Sequence, residues 1–186
     1  MMARLTDPED PWNGKAVPLG QPGMLLVRGP NVMLGYLGLP EKTADVLRHG
    51  WYCTGDVASV DEDGFLQITG RLSRFSKIGG EMVPHLRIEE KLQELAGAAE
   101  TMFVVAGVPD EKKGERIIVL HRLPPDDLQA CLEKFTACEL PNLWKPKADA
   151  FFHVESFPLL GTGKLDLRAV KEQAIKLAAR VEVGSL

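Results

Sequence analysis

The chain has 186 residues, of which 45% are hydrophobic and 26% charged, a composition typical of globular domains rather than of disordered or fibrous chains. Its 26 acidic and 22 basic residues give a net charge of −4, and no Lys/Arg run interrupts the mixture, so we expect no nucleic-acid partner. The longest apolar run, residues 102–108, is far shorter than the ~20 residues of a membrane-spanning helix, and residues 1–10 lack a signal-peptide core. These features indicate a cytoplasmic protein.

The three cysteines, Cys53, Cys131 and Cys138, show neither a disulfide framework nor the spacing of metal ligands. We therefore expect reduced thiols and no metal site. Cys131 and Cys138 lie seven residues apart in a helical pattern, which favours two core-facing side chains.

The first third of the chain is rich in Gly and Pro and has short apolar segments, which predicts β-structure with frequent turns. A strand is expected over residues 24–28. Residues 51–59 and 65–69 are expected to pair as a hairpin, because residues 61–64 (Asp-Glu-Asp-Gly) have the composition of a turn.

After Gly70 the sequence predicts, in order, a β-hairpin, a helix, two strands, a helix, a strand and a last helix. A helix over residues 86–96 should end at Gly97, strands should cover residues 103–108 and 116–120, and helices should cover residues 126–139 and 166–180. The inward-facing positions of the first helix are predicted to be Leu86, Ile88, Leu92, Leu95 and Ala96. The sequence thus predicts an α+β fold: a β-rich part, residues 1–70, and an α/β part, residues 71–186, with the boundary between Gly70 and Arg74.

A carboxylate at the end of a strand follows a glycine, in the run Trp-Tyr-Cys-Thr-Gly-Asp over residues 51–56. Gly55 would let a ligand or another backbone approach closely. Asp56 could accept hydrogen bonds from both vicinal hydroxyls of a ribose. Capping a turn is the alternative role, and for an aspartate in this setting it is the commoner one.

Two further segments carry candidate cations. Residues 70–81 contain Arg71, Arg74 and Lys77 before a Gly-Gly pair, and they form either an anion-binding cluster or a solvated hairpin. Residues 158–164 form a glycine-flanked loop that ends in Lys164 without the spacing of a phosphate-binding P-loop. Lys164 is either carried into a site by a flexible loop or simply solvated near a helix start.

In order and spacing, these three segments together resemble the carboxyl-terminal signature of the adenylate-forming superfamily: acyl-CoA synthetases, peptide-synthetase adenylation domains and luciferases. Residues 23–29 with Gly35-Tyr36 resemble the family's G-E-L-x-x-x-G…G-Y element, and residues 41–43 resemble the stretch that follows it. Within the family, residues 77–83 are most similar to the acyl-acyl carrier protein synthetase part of bacterial 2-acylglycerophosphoethanolamine acyltransferase. The resemblance covers nearly the whole chain.

The resemblance implies that ATP and Mg²⁺ activate a carboxylic acid to an acyl-adenylate and that the acyl group then passes to a thiol. Asp56 would bind the ribose hydroxyls of ATP, with support from Arg71. Lys164 would bridge the substrate carboxylate and the α-phosphate, because a cation between two anions lowers their repulsion.

Three other positions acquire roles from the same resemblance. Ser73 would be the hinge on which the second part rotates, although relatives usually carry Asp or Lys there. Gly80 would line the channel for a phosphopantetheine arm. Lys77 is a weaker candidate for the thiol-transfer step and could instead form a salt bridge on its hairpin.

The family's phosphate loop, Mg²⁺ ligands and acyl pocket match nothing in the chain, so the resemblance implies a missing amino-terminal adenylating domain. We expect residues 1–70 to be the end of that large domain and residues 71–186 to be the mobile carboxyl-terminal domain, inactive as an isolated fragment. The parent would ligate a fatty acid to acyl carrier protein for lysophospholipid acylation, in the cytoplasm or, through its missing upstream parts, at the inner membrane. The alternatives are coenzyme A as acceptor, an aryl or amino acid substrate, or a non-catalytic binding or regulatory module.

Overall fold

The computed structural model describes the backbone of residues 1–183 and the side chains of residues 1–180. The chain forms two compact units, one covering Met1–Ser73 and the other starting at Arg74. The first unit has an antiparallel sheet and the second a largely antiparallel one, and both also contain helices. The predicted α+β class is therefore confirmed.

The first unit contains five strands and one short helix. In chain order they are β1 (Met2–Thr6), β2 (Gly23–Arg28), α1 (Pro40–Val46), β3 (Leu47–Arg48), β4 (Trp51–Val60) and β5 (Leu66–Arg71). The strands form one antiparallel sheet in the order β1-β2-β4-β3, with β5 also paired to β4. The predicted strand at residues 24–28 and the predicted hairpin are thus confirmed as β2 and as β4 with β5.

A 3₁₀ turn (Leu72–Arg74) crosses the boundary between the units, and the second unit continues with five strands and three longer helices. In chain order they are β6 (Phe75–Ile78), β7 (Glu81–Pro84), α2 (His85–Ala96), β8 (Phe103–Asp110), β9 (Gly114–His121), α3 (Pro125–Ala137), β10 (Phe151–His153) and α4 (Leu167–Val183). This is the predicted order of hairpin, helix, two strands, helix, strand and helix. The sheet order is β10-β9-β6-β7 with β8 on β9, and only β10 runs parallel to its neighbour.

Strands β8 and β9 are apolar on both faces, which explains why the sheet carries helices on both sides. On β8, Phe103 and Val105 face one core with α2 and α3, whereas Val104 and Ala106 face a second core with α4. This alternation follows from the two-residue period of a strand. The result is a three-layer unit whose sheet is buried in its middle.

Helix boundaries agree with the capping signals in the sequence. α2 ends at Gly97, and the side chain of Asp166 accepts hydrogen bonds from the backbone N–H groups of Arg168 and Ala169 at the start of α4. Cys131 is buried, and Cys138 is partly buried beside the same core but lies just beyond the end of α3.

One core position was predicted wrongly. Leu86 is 41% exposed, whereas Ile88 and Leu92 are fully buried. At 3.6 residues per turn, position 86 lies about 200° around the helix from position 88, so both cannot face the same core.

A buried polar pair joins the first strand of the second unit to the start of α2. The Ser76 hydroxyl and Nε2 of His85 lie 2.8 Å apart, and both residues are almost fully buried. Burial and the positive charges of Arg74 and Lys171 lower the pKa of His85 to about 3. The imidazole therefore stays neutral in the folded protein at physiological pH.

This neutral histidine predicts that acid weakens the second unit. Below the unfolded pKa of 6.5 the unfolded chain takes up a proton that folded His85 does not, so the stabilisation is present above that pKa and is lost as the pH falls. Between pH 7 and pH 5 the stability advantage of the wild type over His85→Gln should shrink by about 2 kcal/mol. Urea unfolding followed by Trp144 fluorescence measures this. Parallel pH profiles for the two proteins would contradict it.

Candidate functional site

Asp56 and Arg71 are brought together by the pairing of β4 with β5. The two residues are direct partners in the ladder, and Nε of Arg71 lies 3.3 Å from Oδ1 of Asp56. The Asp56 side chain is 25% exposed and that of Arg71 is 61% exposed. A carboxylate held by a guanidinium at an accessible surface can still accept hydrogen bonds from a ligand on its remaining lone pairs.

Gly55 and Thr54 fix the position of this pair. Gly55 has a φ of +77°, and a Cβ at this position would lie 3.3 Å from Nη2 of Arg71. That nitrogen donates a hydrogen bond to the Thr54 carbonyl at 3.0 Å. The Thr54 hydroxyl also accepts a hydrogen bond from the Asp56 backbone N–H and donates one to the Leu25 carbonyl. The glycine is therefore needed for close packing of Arg71 as well as for its backbone conformation.

An extra residue interrupts the β4–β5 ladder beside the Asp56–Arg71 pair. Val57 pairs with Gly70 but Ala58 pairs with Ile68, which leaves Thr69 unmatched. The Thr69 hydroxyl donates to the Val57 carbonyl at 3.1 Å. Such bulges increase the local twist of a strand and redirect neighbouring side chains.

Two tyrosines, Tyr36 and Tyr52, extend this site, and the sequence analysis assigned neither of them to it. A side-chain hydrogen bond to Tyr36 and burial raise the pKa of Tyr52, with burial the larger cause, and Asp56 and Arg71 are close enough to contribute in opposite directions. The Tyr36 backbone N–H also donates to the Thr43 hydroxyl at 2.9 Å. Alternation along β4 was a usable signal, because Tyr52, Thr54 and Asp56 lie two residues apart.

The three cations that the sequence places close together have different environments. Arg71 pairs with Asp56 in the first unit, whereas Arg74 is buried and pairs with Glu89 on α2. Lys77 is exposed on β6, and its backbone N–H donates to Oε2 of Glu115. The expectation of a solvated hairpin is wrong for Arg74. Its carboxylate partner, Glu89, lies on α2, outside the segment of residues 70–81 from which that expectation was drawn.

Burial and hydrogen bonding both act on Glu89. Burial raises the pKa of its carboxyl group, and the Arg74 guanidinium and the Val105 backbone N–H partly offset this. Val105 donates to Oε1 of Glu89 at 2.6 Å, so the carboxylate joins α2, β8 and the first residue of the second unit.

The Gly79–Gly80 turn and the loop of residues 158–164, which ends in Lys164, are both short and well defined. Gly79 and Gly80 connect β6 to β7 with positive φ angles, and the space beside each is open. In the loop before α4, the Leu160 N–H donates to the Lys164 carbonyl and the Gly163 N–H donates to the Leu160 carbonyl, each at 2.8 Å. The Lys164 side chain is exposed at the end of this small hairpin and makes no hydrogen bond or ion pair within the described part of the chain.

The candidate residues therefore fall into two groups. Asp56 and Arg71 lie in the first unit, which ends at Ser73, whereas Lys77, Gly80 and Lys164 lie in the second. Among residues 1–180, no group of three or more His, Cys, Asp or Glu side chains could hold a metal ion. No helix in the described chain is long and apolar enough to cross a membrane.

The fold and the sequence define a class of relatives: adenylate-forming, AMP-binding acyl-CoA ligases. The chain is 36% identical over 171 residues to a long-chain-fatty-acid–CoA ligase of Yersinia pestis, which covers 89% of this chain and 29% of the relative. It is 38% identical over 159 residues to a feruloyl-CoA synthase of an Amycolatopsis species, which covers 82% of this chain and 31% of the relative. No protein-family model matches the chain.

Solved structures give the same class. ATP-bound MatB from Rhodopseudomonas palustris superposes with a TM-score of 0.71 at 30% identity, over 92% of this chain and 33% of that one. The anthranilate CoA ligase AuaEII in complex with anthranoyl-AMP gives a TM-score of 0.75 at 26% identity, over 96% of this chain and 34% of that one. The chain thus spans about a third of the length of the relatives that it matches.

Proposed function

We propose that the chain is the carboxyl-terminal part of an ATP-dependent, AMP-forming acid–thiol ligase. The observation that carries the proposal is the Asp56–Arg71 pair, held at 3.3 Å in a chain whose fold is similar to that of ATP-bound MatB. In this proposal Asp56 accepts hydrogen bonds from the two ribose hydroxyls of ATP. Arg71 orients the carboxylate through the 3.3 Å contact of its Nε with Oδ1.

Lys164 supplies the cation for the first half-reaction. A carboxylate oxygen of the acid attacks the α-phosphorus, and the bond to the leaving pyrophosphate breaks. Negative charge builds on the α-phosphoryl oxygens as two anions approach, and an ammonium between them lowers the barrier. The exposed Lys164 side chain, on a loop held by backbone hydrogen bonds, suits this role.

In the second half-reaction, transfer of the acyl group to a thiol, the acting residues lie on the hairpin of β6 and β7. The open space beside Gly79 and Gly80 supports passage of a thin phosphopantetheine arm, with Lys77 as a weaker candidate near the thiol. Rotation of the second unit at Ser73 would switch the enzyme from the adenylating arrangement to the thioester-forming one. Because Ser73 is uncharged, this hinge would act through backbone torsion rather than through an ion pair.

Coenzyme A is the acceptor that the relatives' names favour. Acyl carrier protein is the second candidate, and it rests on the resemblance of residues 77–83. Because the named relatives act on a long-chain fatty acid and on ferulate, we propose the acid only as a fatty or aryl acid. We assign no metal ligand to the described residues, so any Mg²⁺ that ATP brings would be held outside them.

A hybrid ligase tests the proposal. In the hybrid, this chain replaces the matching segment of the Yersinia pestis ligase, to which it is 36% identical. Acid-dependent exchange of pyrophosphate into ATP should appear in the hybrid, and neither this chain alone nor the truncated relative alone should support it. The thioester step is then assayed with coenzyme A and with holo-acyl carrier protein in parallel. Exchange by this chain alone would refute the division of labour proposed here.

Asp56→Ala in the hybrid should raise the apparent KM for ATP by about 10- to 100-fold, because charge-assisted hydrogen bonds contribute about 1.5–3 kcal/mol. Asp63→Ala is the matched control, since Asp63 is an exposed carboxylate in the turn of the same hairpin. Initial rates across an ATP series measure the effect. An unchanged ATP dependence in Asp56→Ala would remove Asp56 from the nucleotide site.

A further inference from the structure

A cavity of about 260 Å³ lies within the first unit, apart from the residues assigned to the ligase reaction. Its lining combines aromatic and cationic side chains: Arg4, Trp12, Asn13, Arg48, His49 and Trp51. None of these six described residues carries a carboxylate. The cavity is therefore a cationic one with aromatic walls.

A tight turn builds one wall of the cavity. His49 and Gly50 connect β3 to β4 with φ angles of 51° and 78°, and this turn places Arg48 opposite Trp51 in the ladder. Within the described chain, His49 is the only residue other than glycine with a positive φ. A positive φ costs free energy for a residue with a side chain, and strained backbone conformations of this kind cluster at binding and active sites.

Each arginine is held over an indole ring. The guanidinium carbon of Arg4 lies 4.5 Å from the ring centre of Trp51, and that of Arg48 lies 5.1 Å from the ring centre of Trp12. Stacking restrains the planar guanidinium group but leaves the N–H groups at its edge available. Nε of Arg48 donates to the Ala44 carbonyl at 3.3 Å, so its terminal nitrogens remain for a ligand.

The buried Nε–H group of Arg4 lacks a hydrogen-bond acceptor. Neither Arg4 nor Arg48 forms an ion pair with a carboxylate in the described part of the chain. Asp10, near the lining residue Asn13, already accepts hydrogen bonds from the Asn13 backbone and side-chain amides. A buried N–H donor without an acceptor is costly, and an anion in the cavity would satisfy it.

We propose that this cavity binds a small phosphorylated compound, with its phosphate monoester group accepting hydrogen bonds from Arg4 and Arg48. A phosphate dianion carries enough charge and enough oxygens for two guanidinium groups, whereas one carboxylate matches a single bidentate arginine. The volume also leaves room for atoms beyond the phosphate. This proposal does not rest on the ligase function, since none of the cavity residues takes part in that reaction.

Two of the three tryptophans line the cavity, so NMR of the indole N–H groups reports on it directly. The ¹⁵N-labelled chain is titrated with inorganic phosphate, glycerol 3-phosphate, acetate and glycerol. We expect saturable shifts of the Trp12 and Trp51 indole signals with both phosphate probes, while Trp144 in the second unit serves as an internal control. Tighter binding of glycerol 3-phosphate than of inorganic phosphate would identify an ester as the preferred ligand, and the reverse would identify free phosphate. Either order supports a phosphate site.

Arg48→Gln should weaken phosphate binding at least about tenfold, the loss expected for one charge-assisted hydrogen bond. Arg4→Gln should do the same, and if that variant does not fold, the exposed Arg48 decides alone. Arg122→Gln, at an exposed arginine of the second unit, should bind phosphate like the wild type. The proposal is overturned by the absence of saturable shifts with both phosphates, by equal binding of acetate, or by equal losses in Arg48→Gln and Arg122→Gln.

Discussion

Replacing Lys164 with alanine in the hybrid ligase is expected to slow acyl-adenylate formation by about 10²–10³-fold, the usual cost of removing one group that stabilises developing charge. Lys164 is exposed at the end of a loop whose hydrogen bonds are all between backbone atoms. The substitution should therefore leave the loop intact and remove only the ammonium. Single-turnover formation of AMP from ATP and the acid measures this step.

Transfer from a preformed acyl-adenylate separates a chemical role from a structural one. In the proposed mechanism Lys164 acts on the α-phosphate before the thiol arrives, so transfer to coenzyme A should be largely unchanged in Lys164→Ala. Lys176→Ala, on the exposed surface of α4, controls for general loss of positive charge in this region. Equal losses in both half-reactions would show that the lysine is structural.

Breaking the buried pair between Arg74 and Glu89 should cost the second unit about 3–5 kcal/mol of unfolding free energy. The two side chains are only 8% and 13% exposed, so loss of one charge leaves the other desolvated and unpaired. Glu89→Gln keeps the shape and an acceptor for the Val105 N–H but removes the charge. Urea unfolding followed by Trp144 fluorescence gives the change in free energy.

Two comparison variants decide whether charge is the cause. Glu90→Gln changes the neighbouring, 65% exposed carboxylate, and its effect should stay within about 0.5 kcal/mol. The double variant Arg74→Met with Glu89→Met should recover much of the loss, because replacing both members of a buried ion pair by apolar groups is often nearly neutral. If Glu89→Gln is as stable as the wild type, the pair does not anchor the start of the second unit.

The elements of the second unit could be predicted from sequence because each has a strong local signal. The three-and-four-residue spacing identifies α2, α3 and α4, and the continuous apolar runs identify β8 and β9. The short helix α1 was missed, since its seven residues, which begin with Pro40, provide too few turns for a period to be visible. Leu86 was misplaced for a different reason: it lies about 200° around the helix from Ile88, so the helical period already excluded it from that face.

The candidate site was predictable only where its residues share one hairpin. Asp56 and Arg71 were found because motif order connects them, and the structure places them in contact. The partner of Arg74 lies 15 residues away on a helix, and the cavity of the first unit joins β1, a loop and a turn. Contacts of this kind depend on tertiary packing, which a linear pattern does not record.

The unmatched residue Thr69 bears on how the pair of Asp56 and Arg71 is recognised in other proteins. Deleting Thr69 would make the ladder regular and still leave Asp56 opposite Arg71, because the shift between Val57 and Ala58 is absorbed by that one residue. The twist that aims the two side chains would change all the same. A homologue with both charged residues but one residue fewer in this strand would thus keep the motif in an alignment and lose its geometry. The length of β5, together with the identity of its charged residues, is therefore part of what defines this site.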